Sequence, residues 1–542
     1  MPRERDAMWT NFTEIKRDGV TRAECRRCKA NMVALVARMK THICASSAQS
    51  TSKDAEPSGS STSPVPPKKL KQTTMEVVRT GPGKQHEIEL QLTRYVLATN
   101  TSFRSVENPQ LKKLLELLRP STNVPTRQKV SGQLLDEVYT EEMAKVGKIV
   151  KDMPATLSID GWSSLQNEPV IGVSFSAGGE SYLINTIDTT GKAHTAEYLS
   201  EITAQMIKEC EREFQVRVTC VVTDNTSNVT AMRRLISDQV PGIHTYGCQS
   251  HLANLLAKDI LQENPIKTVM AKITTVVKFF RNTHQASAEL REKKLGRPPL
   301  PGDTRWNSAK DTVEYFVANW AALACIVNTL VKNTDPLYRI MEDIQIKRGA
   351  EDILAILRPV AIALDTLQSE RCYIGQCFNV WKILIDKTAE ARYVSQVSKR
   401  VEQALPPVII CANLLDHRYA GKDQCPAEVA KAIAYAGEAN KDFLPHITRY
   451  MARHPPFNVT LFSDAYQNVP PVAWWKSGIQ LGFDPEFARW AEGLVGGVST
   501  TAGLERQFST LGFTYGKLRS HLQVDKAGKI AFLFRQLNKF CK

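Results

Sequence analysis

Two aspartates that follow strand-like segments are of the residue type that binds divalent metal ions. Asp160 lies near the end of residues 156–162, where Leu157 and Ile159 point to one face, and Asp224 directly follows the β-branched run VRVTCVVT. Carboxylates at the ends of adjacent parallel strands can hold a pair of Mg²⁺ ions. Two such ions, roughly 4 Å apart, activate the attacking oxygen and stabilise the leaving oxygen of a phosphoryl transfer.

The same two aspartates also have a simpler interpretation. Aspartate is common at strand ends and in turns, where its side chain caps backbone N–H groups, and the local pattern alone favours this role. A third acid is normally needed to complete a two-metal site. The residues by themselves therefore leave both interpretations open.

The segments around the aspartates predict a mixed sheet. One amphipathic helix precedes the first strand, and a second connects the third strand to the fourth. Such a crossover lets the fourth strand lie parallel beside the first, which brings Asp160 and Asp224 to the same edge. The predicted elements are a helix over 134–153, strands over 156–162, 169–177 and 181–188, a helix over 194–214 and a strand over 216–223.

A long helical block follows these strands. Beyond Leu252, apolar residues recur at helical spacing to about residue 480, for example over 266–280 and 350–367. We therefore predict an α/β fold whose mixed sheet is interrupted by a large all-α insertion.

Length, charge and cysteine usage limit the class of protein. The 542 residues exceed one usual domain several-fold, and no apolar run approaches the roughly 20 residues of a membrane helix, so no membrane partner is expected. The absence of an apolar leader and the scattered spacing of the twelve cysteines indicate an intracellular, reducing location. Residues 1–75 carry 14 Lys and Arg against 7 Asp and Glu. Their excess of 7 positive charges is half of the chain's net charge of +14. This bias is typical of nucleic-acid binders, and a solvated basic tail is the alternative.

A low-complexity segment separates two modules. Residues 45–74 are rich in Ser, Pro and Thr and nearly free of large apolar residues, so they cannot form a core and are predicted to be a disordered linker. The basic cluster PPKKLK at 66–71 has the form of a nuclear import signal, which predicts a nuclear location.

Four residues near the N-terminus have the types that bind zinc. Cys25 and Cys28 form a Cys-x-x-Cys pair suited to tetrahedral Zn²⁺, and His42 and Cys44 follow. One residue separates His42 from Cys44 instead of the usual three to five, so both cannot bind from a regular helix. Either the helix ends at His42 and Cys44 turns back, or the site is degenerate. The basic residues around them suit DNA phosphates: Arg22, Arg26, Arg27, Lys29, Arg38 and Lys40.

Six motifs resemble those of hAT superfamily transposases, and they occur in the family's order from about residue 150 to the C-terminus. One match would be weak, whereas six in order are specific. They are Asp160 in LSIDGWSS, Asp224 in VVTDNTSN, Cys248 and His251 in GCQSHLANLL, Arg305 and Trp306 in DTRWNS, Trp474 and Trp475 in VAWWKS, and Glu505 in TTAGLERQFSTLG. Trp9, Phe12, Cys25, Cys28, His42 and Cys44 resemble a BED-type zinc finger.

The resemblance implies a ribonuclease H-like fold in which a long helical insertion precedes the last acid. It implies that Asp160, Asp224 and Glu505 bind Mg²⁺ or Mn²⁺, and that Trp306 supports a flipped base next to the cleaved strand. An aromatic face beside a cation such as Arg305 suits base stacking. A half-buried aromatic is the alternative for Trp306.

Two further matches also have explanations that involve no metal binding. Glu505 lies one step off the stripe formed by Leu504, Phe508 and Leu511, so its carboxylate can face the metals. An ion pair with Arg506 or a neighbouring lysine is the alternative. Cys248 and His251, at i and i+3, look like half of a zinc site. No second pair lies nearby in sequence, so we predict a structural role near the acidic residues.

The resemblance also implies dimerisation through the C-terminal region. That region has many large apolar residues, and completion of one chain's own core is the alternative use for them. The predicted divisions are a BED-type finger over 1–44, a linker over 45–75, a helical lead-in over 76–150, the first part of the core over 151–260, a helical insertion over 261–471, and the dimerisation region that completes the core over 472–542.

Two functions remain in competition on the sequence alone. The leading one is a nuclear transposase that cuts and joins DNA ends by metal-dependent hydrolysis and transesterification. The other is a domesticated, inactive relative that binds DNA and dimerises. The intact acidic set favours the first, and the irregular finger slightly favours the second. A cellular ribonuclease H-like nuclease is disfavoured because it gives no reason for the finger and the C-terminal motif to occur together.

Overall fold

The chain divides into two compact units, Met1–Glu76 and Val77–Lys542. The computed structural model describes residues 7–17, 20–34, 81–119, 122–163, 169–302, 307–388, 394–514 and 522–539. The linker and import signal predicted for residues 45–75 lie outside these ranges.

A small antiparallel sheet forms the N-terminal unit. A short 3₁₀ helix, Ala7–Asn11, leads into strands β1 (Phe12–Arg17), β2 (Val20–Cys25) and β3 (Asn31–Val33), which pair in the order β1-β2-β3. Phe12, Ala23 and Cys25 are buried in its core.

A five-stranded mixed sheet is the centre of the larger unit. Its strands are β4 (Pro154–Ser163), β5 (Pro169–Ala177), β6 (Glu180–Asp188), β7 (Arg217–Thr223) and β8 (His244–Gly247), in the order β6-β5-β4-β7-β8. Strands β4, β5 and β6 pair antiparallel, whereas β7 lies parallel to both β4 and β8. The predicted mixed sheet, with its fourth strand parallel beside the first, is therefore confirmed. Strand β8 was not predicted, because four residues are too short for a period to be read.

Helices cover the sheet and lead into it. Thr195 caps the crossover helix α5 (Ala196–Phe214) by accepting a hydrogen bond from the Tyr198 N–H, and Gln215 ends that helix in the left-handed conformation. The helices are α1 (Pro82–Ala98), α2 (Pro109–Leu118), α3 (Arg127–Ser131), α4 (Gln133–Val150), α5 (Ala196–Phe214) and α6 (Ser227–Gln239), with a 3₁₀ helix at Phe103–Glu107.

A helical block follows β8, as the periodicity predicts. Its helices are α7 (Gln249–Gln262), α8 (Asn264–Asn282), α9 (His284–Glu292), α10 (Ser308–Ala318), α11 (Trp320–Leu330), α12 (Pro336–Glu342), α13 (Ile344–Leu367), α14 (Ile374–Thr388), α15 (Val394–Ala404), α16 (Pro407–Leu415), α17 (Pro426–Ala439), α18 (Phe443–Ala452), α19 (Pro471–Gly478) and α20 (Pro485–Val495). Three short 3₁₀ helices lie at Val459–Phe462, Asp464–Tyr466 and Ile479–Leu481. No single helix among the described residues has the length and apolarity to cross a membrane; α10 and α11 reach them only as a pair bent by 73°.

The chain returns to the sheet after this block. Helices α21 (Ala502–Thr514) and α22 (Val524–Leu537) pack against β4, β5 and β6. The apolar side chains that supported dimerisation complete the core of one chain instead, because most of them are buried within it. Those buried are Trp474, Trp475, Phe487, Leu494, Phe508, Ile530, Phe532 and Leu533, whereas Phe513 is 67% exposed. The apolar surplus is therefore no argument for an oligomer.

Candidate active site at the edge of the sheet

The parallel pairing of β4 and β7 places the two aspartates at the same level. Ser158 in β4 lies opposite Val222 in β7, so Asp160 and Asp224, each two residues further along, reach the same edge of the sheet. Both aspartates are half-buried. This edge is where the sequence predicted them to meet.

Helix α21 brings Glu505 to this edge through close packing on β5. Gly172 pairs directly with Asp160, and a Cβ atom at Gly172 would lie 2.3 Å from Cε1 of Phe508, one turn after Glu505. Only a glycine leaves room for that ring. The Phe508 ring also stacks on Trp162, with centroids 6.2 Å apart and planes at 17°. The strand residue paired with Asp160 and the residue two positions after Asp160 therefore both contact the helix that carries the third acid.

Asp224 and Glu505 both act electrostatically on Asp160. The pKa of Asp160 is raised to about 7 by burial, then by the negative charges of Asp224 and Glu505, and a hydrogen bond from the Gly161 N–H only partly offsets this. Burial also raises the pKa of Glu505 to about 7, against the lowering effect of Arg506 and a hydrogen bond from Thr501. The structure thus brings together three acids whose negative charge is poorly compensated by the chain's own cations.

Asp224 is held in a fixed orientation by its neighbours. Its Oδ1 accepts hydrogen bonds from the Thr226 N–H at 3.1 Å and the Thr226 hydroxyl at 2.9 Å. Arg233 donates to the Asp224 backbone carbonyl at 2.7 Å and to the Thr223 hydroxyl at 2.5 Å. Burial lowers the pKa of Arg233, and the negative charge of Asp224 opposes that shift. Sequence reasoning missed Arg233, because no local pattern distinguishes it from other helical arginines.

The buried thiol of Cys248 connects the end of β8 to the segment before α21. Its Sγ accepts from the Thr501 N–H at 3.5 Å and lies 3.3 Å from the Thr500 hydroxyl. The Cys248 N–H donates to the Thr223 carbonyl at 2.7 Å, at the end of β7. Cys248 therefore joins Thr501 to Thr223, the residue directly before Asp224.

The neighbours of Cys248 reinforce this connection. Asn225 Nδ2 donates to the Cys248 carbonyl at 2.9 Å, and a Cβ at Gly247 would lie 1.8 Å from Asn225 Oδ1. His251 lies near Asp224, whose charge raises the pKa of the histidine, but the larger effect of burial lowers it. Asn225 and Gly247 are further residues that the sequence patterns did not single out.

The donor set suits a hard divalent cation, because three carboxylates supply oxygen ligands of the kind that Mg²⁺ and Mn²⁺ prefer. Their charges lie close enough to raise the pKa of Asp160. Within the described ranges, however, no three His, Cys, Asp or Glu side chains are close enough together to form a ready ligand cluster. The site therefore has the charge and chemistry for a metal, while its ligands are not preassembled.

The remaining predicted site residues are placed only in part. Cys25 and Cys28 flank the turn between β2 and β3, where the Cys25 N–H donates to the Ala30 carbonyl at 2.9 Å. Arg26 and Arg27 lie in that turn and are exposed. Six predicted residues lie outside the described ranges: Arg38, Lys40, His42, Cys44, Arg305 and Trp306.

One family profile matches part of the chain. Residues 125–276, which include Asp160, Asp224, Cys248 and His251, match the family described as "Domain of unknown function (DUF659)". This family is associated with hAT-like transposase regions. No curated protein matches the chain.

Proposed function

We propose that this protein is a hAT-type transposase that binds DNA and cuts and joins DNA ends by metal-dependent phosphoryl transfer. The observation that carries the proposal is the convergence of Asp160, Asp224 and Glu505, whose charges act together on the pKa of Asp160. Perturbed acids gathered at one edge of a sheet are typical of catalytic sites. The match of residues 125–276 to a family associated with hAT-like transposase regions supports the same function.

The topology supports a ribonuclease H-like core for this chemistry. Three antiparallel strands are followed by two parallel ones, and the helical block separates β8 from the helix that carries the third acid. This is the interruption that the hAT resemblance implies.

Each acid would contribute differently to the proposed site. Mg²⁺ or Mn²⁺ held by the three carboxylates would activate the attacking oxygen and stabilise the leaving oxygen. Hydrogen bonds from the Thr226 N–H and hydroxyl already orient the Asp224 carboxylate without a metal. Asp160 and Glu505, with pKa values near 7, are partly protonated at neutral pH and would release those protons when a cation binds.

DNA recognition is proposed for residues outside the acidic site. Arg26 and Arg27 would contact phosphates from a zinc finger in which Cys25 and Cys28 provide one pair of ligands and His42 and Cys44 the other. Arg305 and Trp306 would support a flipped base beside the cleaved strand. Such a protein would act in the nucleus, as a homo-oligomer.

A domesticated DNA-binding regulator without catalytic activity is the second candidate. One observation favours it: in the described part of the chain the acids do not form a ready metal-ligand cluster. A regulator that had lost cleavage would retain the sheet and the fold of α21 without needing tighter spacing of the carboxylates.

Strand cleavage separates the two candidates. The full chain would first select its preferred duplex from a random pool, and nicking of that duplex would be followed in Mg²⁺ and in Mn²⁺. We expect Asp224→Asn to abolish nicking with little effect on binding, because it removes a ligand charge and leaves phosphate and base contacts in place. Cys25→Ser should instead weaken binding, because structural zinc contributes most of the folding energy of a small finger.

A matched aspartate controls for the loss of charge alone. Asp238 is exposed on α6, outside the site, so Asp238→Asn should nick like the wild type. A wild-type chain that binds its selected duplex but never nicks it with either metal would defeat the transposase proposal and support the regulator.

A further inference from the structure

A groove of about 780 Å³ is lined in part by Arg506, the residue after Glu505. It lies between the β5–β6 turn, the segment that follows α13, and helices α21 and α22. The charged residues that line it are Glu180, Glu370, Arg371, Arg506, Arg535 and Lys539. Because Arg506 follows Glu505 on α21, the acidic site and this groove are adjacent.

Cations outnumber acids in the groove by four to two. Glu370 Oε1 accepts hydrogen bonds from Arg506 Nη2 at 2.8 Å and from Arg535 Nη2 at 2.9 Å. Lys539 Nζ lies 3.3 Å from Glu180. Arg371 makes no ion pair with any residue that the structure describes. Two positive charges are thus left over for an incoming anion.

Arg506 and Arg535 are positioned before any ligand arrives. Arg506 donates to the Gln368 carbonyl at 3.2 Å as well as to Glu370, so two of its N–H groups are used. A guanidinium has five N–H donors, which leaves others for a second acceptor. A side chain that is already anchored loses less entropy when it binds phosphate, and the guanidinium fork matches phosphate geometry.

Aromatic residues at the edge of the groove favour a nucleic acid over other anions. Phe534 lines the groove, and its ring centroid lies 6.2 Å from that of Phe513, which is 67% exposed. Basic grooves that carry exposed aromatic rings bind nucleic acid strands, because the cations follow the backbone while the rings stack on bases.

We propose that this groove binds the phosphodiester backbone of the DNA strand that continues from the scissile phosphate, with Arg371, Arg506, Arg535 and Lys539 as its phosphate contacts. The proposal rests on the proposed function, because it uses the carboxylates to define where the strand is cut. It adds a second DNA-contacting surface, on the same unit as the acidic site.

Equilibrium binding of the full chain tests the groove directly. The probe is a short fluorescent DNA duplex of mixed sequence with a single-stranded extension, titrated without added Mg²⁺ or Mn²⁺ at several NaCl concentrations. Arg371→Glu should bind several-fold more weakly, and its salt dependence should be less steep, by about 0.9 in the log–log slope for each phosphate that the variant no longer neutralises. Glu370→Gln should bind more tightly than the wild type, because the competing carboxylate charge is removed.

Charge reversal elsewhere provides the control. Arg449 is exposed on α18 and does not line the groove, so Arg449→Glu should retain wild-type affinity and slope. Wild-type affinity and slope in both groove variants would overturn the proposal. Equal weakening by Arg449→Glu would also overturn it, as would displacement of DNA by a polyglutamate peptide as effectively as by unlabelled DNA. Because this titration contains no added Mg²⁺ or Mn²⁺, it does not depend on cleavage. A wild-type chain without nicking activity would therefore defeat the proposed function and leave this test intact.

Discussion

Glu505 and Arg506 are neighbours on α21, yet they belong to two sites with opposite electrostatics. At the edge of the sheet, burial and like charges raise the pKa of Asp160 to about 7, and burial raises that of Glu505 to about 7. In the groove, burial also acts to raise the pKa of Glu370, but hydrogen bonds and charges from Arg506 and Arg535 prevail and lower it.

The difference lies in how the chain compensates its own charges. The acids at the sheet edge have too few cations around them, so a divalent cation would relieve their repulsion. The groove has more cations than acids, so a bound polyanion would relieve the repulsion between its positive charges. One helix therefore carries Glu505 of the proposed cation site and Arg506 of the proposed anion groove, side by side.

The largest expected effect comes from disturbing the helix that both sites share. Gly172→Ala places a methyl group against the Phe508 ring, so α21 must shift together with Glu505 and Arg506. We expect a loss of about 1–3 kcal/mol in the free energy of unfolding, measured by chemical denaturation, because the core is overpacked. Strand cleavage should be lost as well.

A second glycine beside Asp160 controls for the added methyl group. Apart from its two chain neighbours, no heavy atom of the residues that the structure describes lies within 4 Å of a Cβ built on Gly161, so Gly161→Ala should leave the free energy of unfolding close to that of the wild type. Equal stabilities for the two alanine variants would refute the docking of α21 over Gly172.

Removing one charge from the acidic site should stabilise the protein. Asp160 has a pKa of about 7 in the folded chain against 3.8 for a free carboxyl, so its stabilising contribution is present at low pH and is lost as pH rises through about 7. Asp160→Asn does not titrate and should be the more stable protein at about pH 8, in the absence of metal, but not at about pH 5. The full shift corresponds to roughly 4 kcal/mol, which partial exposure reduces to about 1–2.

Denaturation of both proteins at the two pH values provides the check. A variant that is less stable than the wild type at both would show that the chain compensates the Asp160 charge after all.

A smaller effect is expected from the thiol that supports the acidic edge. Cys248→Ala removes the acceptor of the Thr501 N–H, which should cost about 1 kcal/mol in the free energy of unfolding. Cys248→Ser retains a hydrogen-bonding group and should recover part of that loss. If both variants unfold like the wild type, the sulfur contacts do not hold the start of α21.

The smallest effect should come from the groove and have the opposite sign to that of Asp160→Asn. Glu370→Gln removes the charge that pairs with Arg506 and Arg535 and should cost about 0.5 kcal/mol, because the ion pairs are partly exposed. Stabilisation by this substitution would remove the contrast between the two sites.

Local patterns predicted four of the five strands of the larger sheet, because alternation or a run of β-branched residues can be read within a single segment. The predicted strand over 169–177 coincides with β5, and the parallel pairing of β4 with β7 followed from the crossover helix. The proximity of Glu505 to the aspartates was predicted only from the family resemblance. It depends on the packing of Phe508 over Gly172, which no periodicity in the sequence encodes. Arg233 and the groove were missed for the same reason. Most of the apolar C-terminal residues are buried in the core of one chain, so dimerisation through this region stays a prediction, because sequence does not distinguish a surface shared between chains from the core of one.

Direct titration of the metal tests the central claim, that Asp160, Asp224 and Glu505 together form a divalent-cation site. Calorimetric titration with Mn²⁺ would be performed on the full chain and on Asp160→Asn, Asp224→Asn and Glu505→Gln, with Asp238→Asn as the control. We expect the wild type and the control to bind Mn²⁺ with release of protons near pH 7, and each site variant to lose that binding. Wild-type Mn²⁺ affinity in all three site variants would contradict the account.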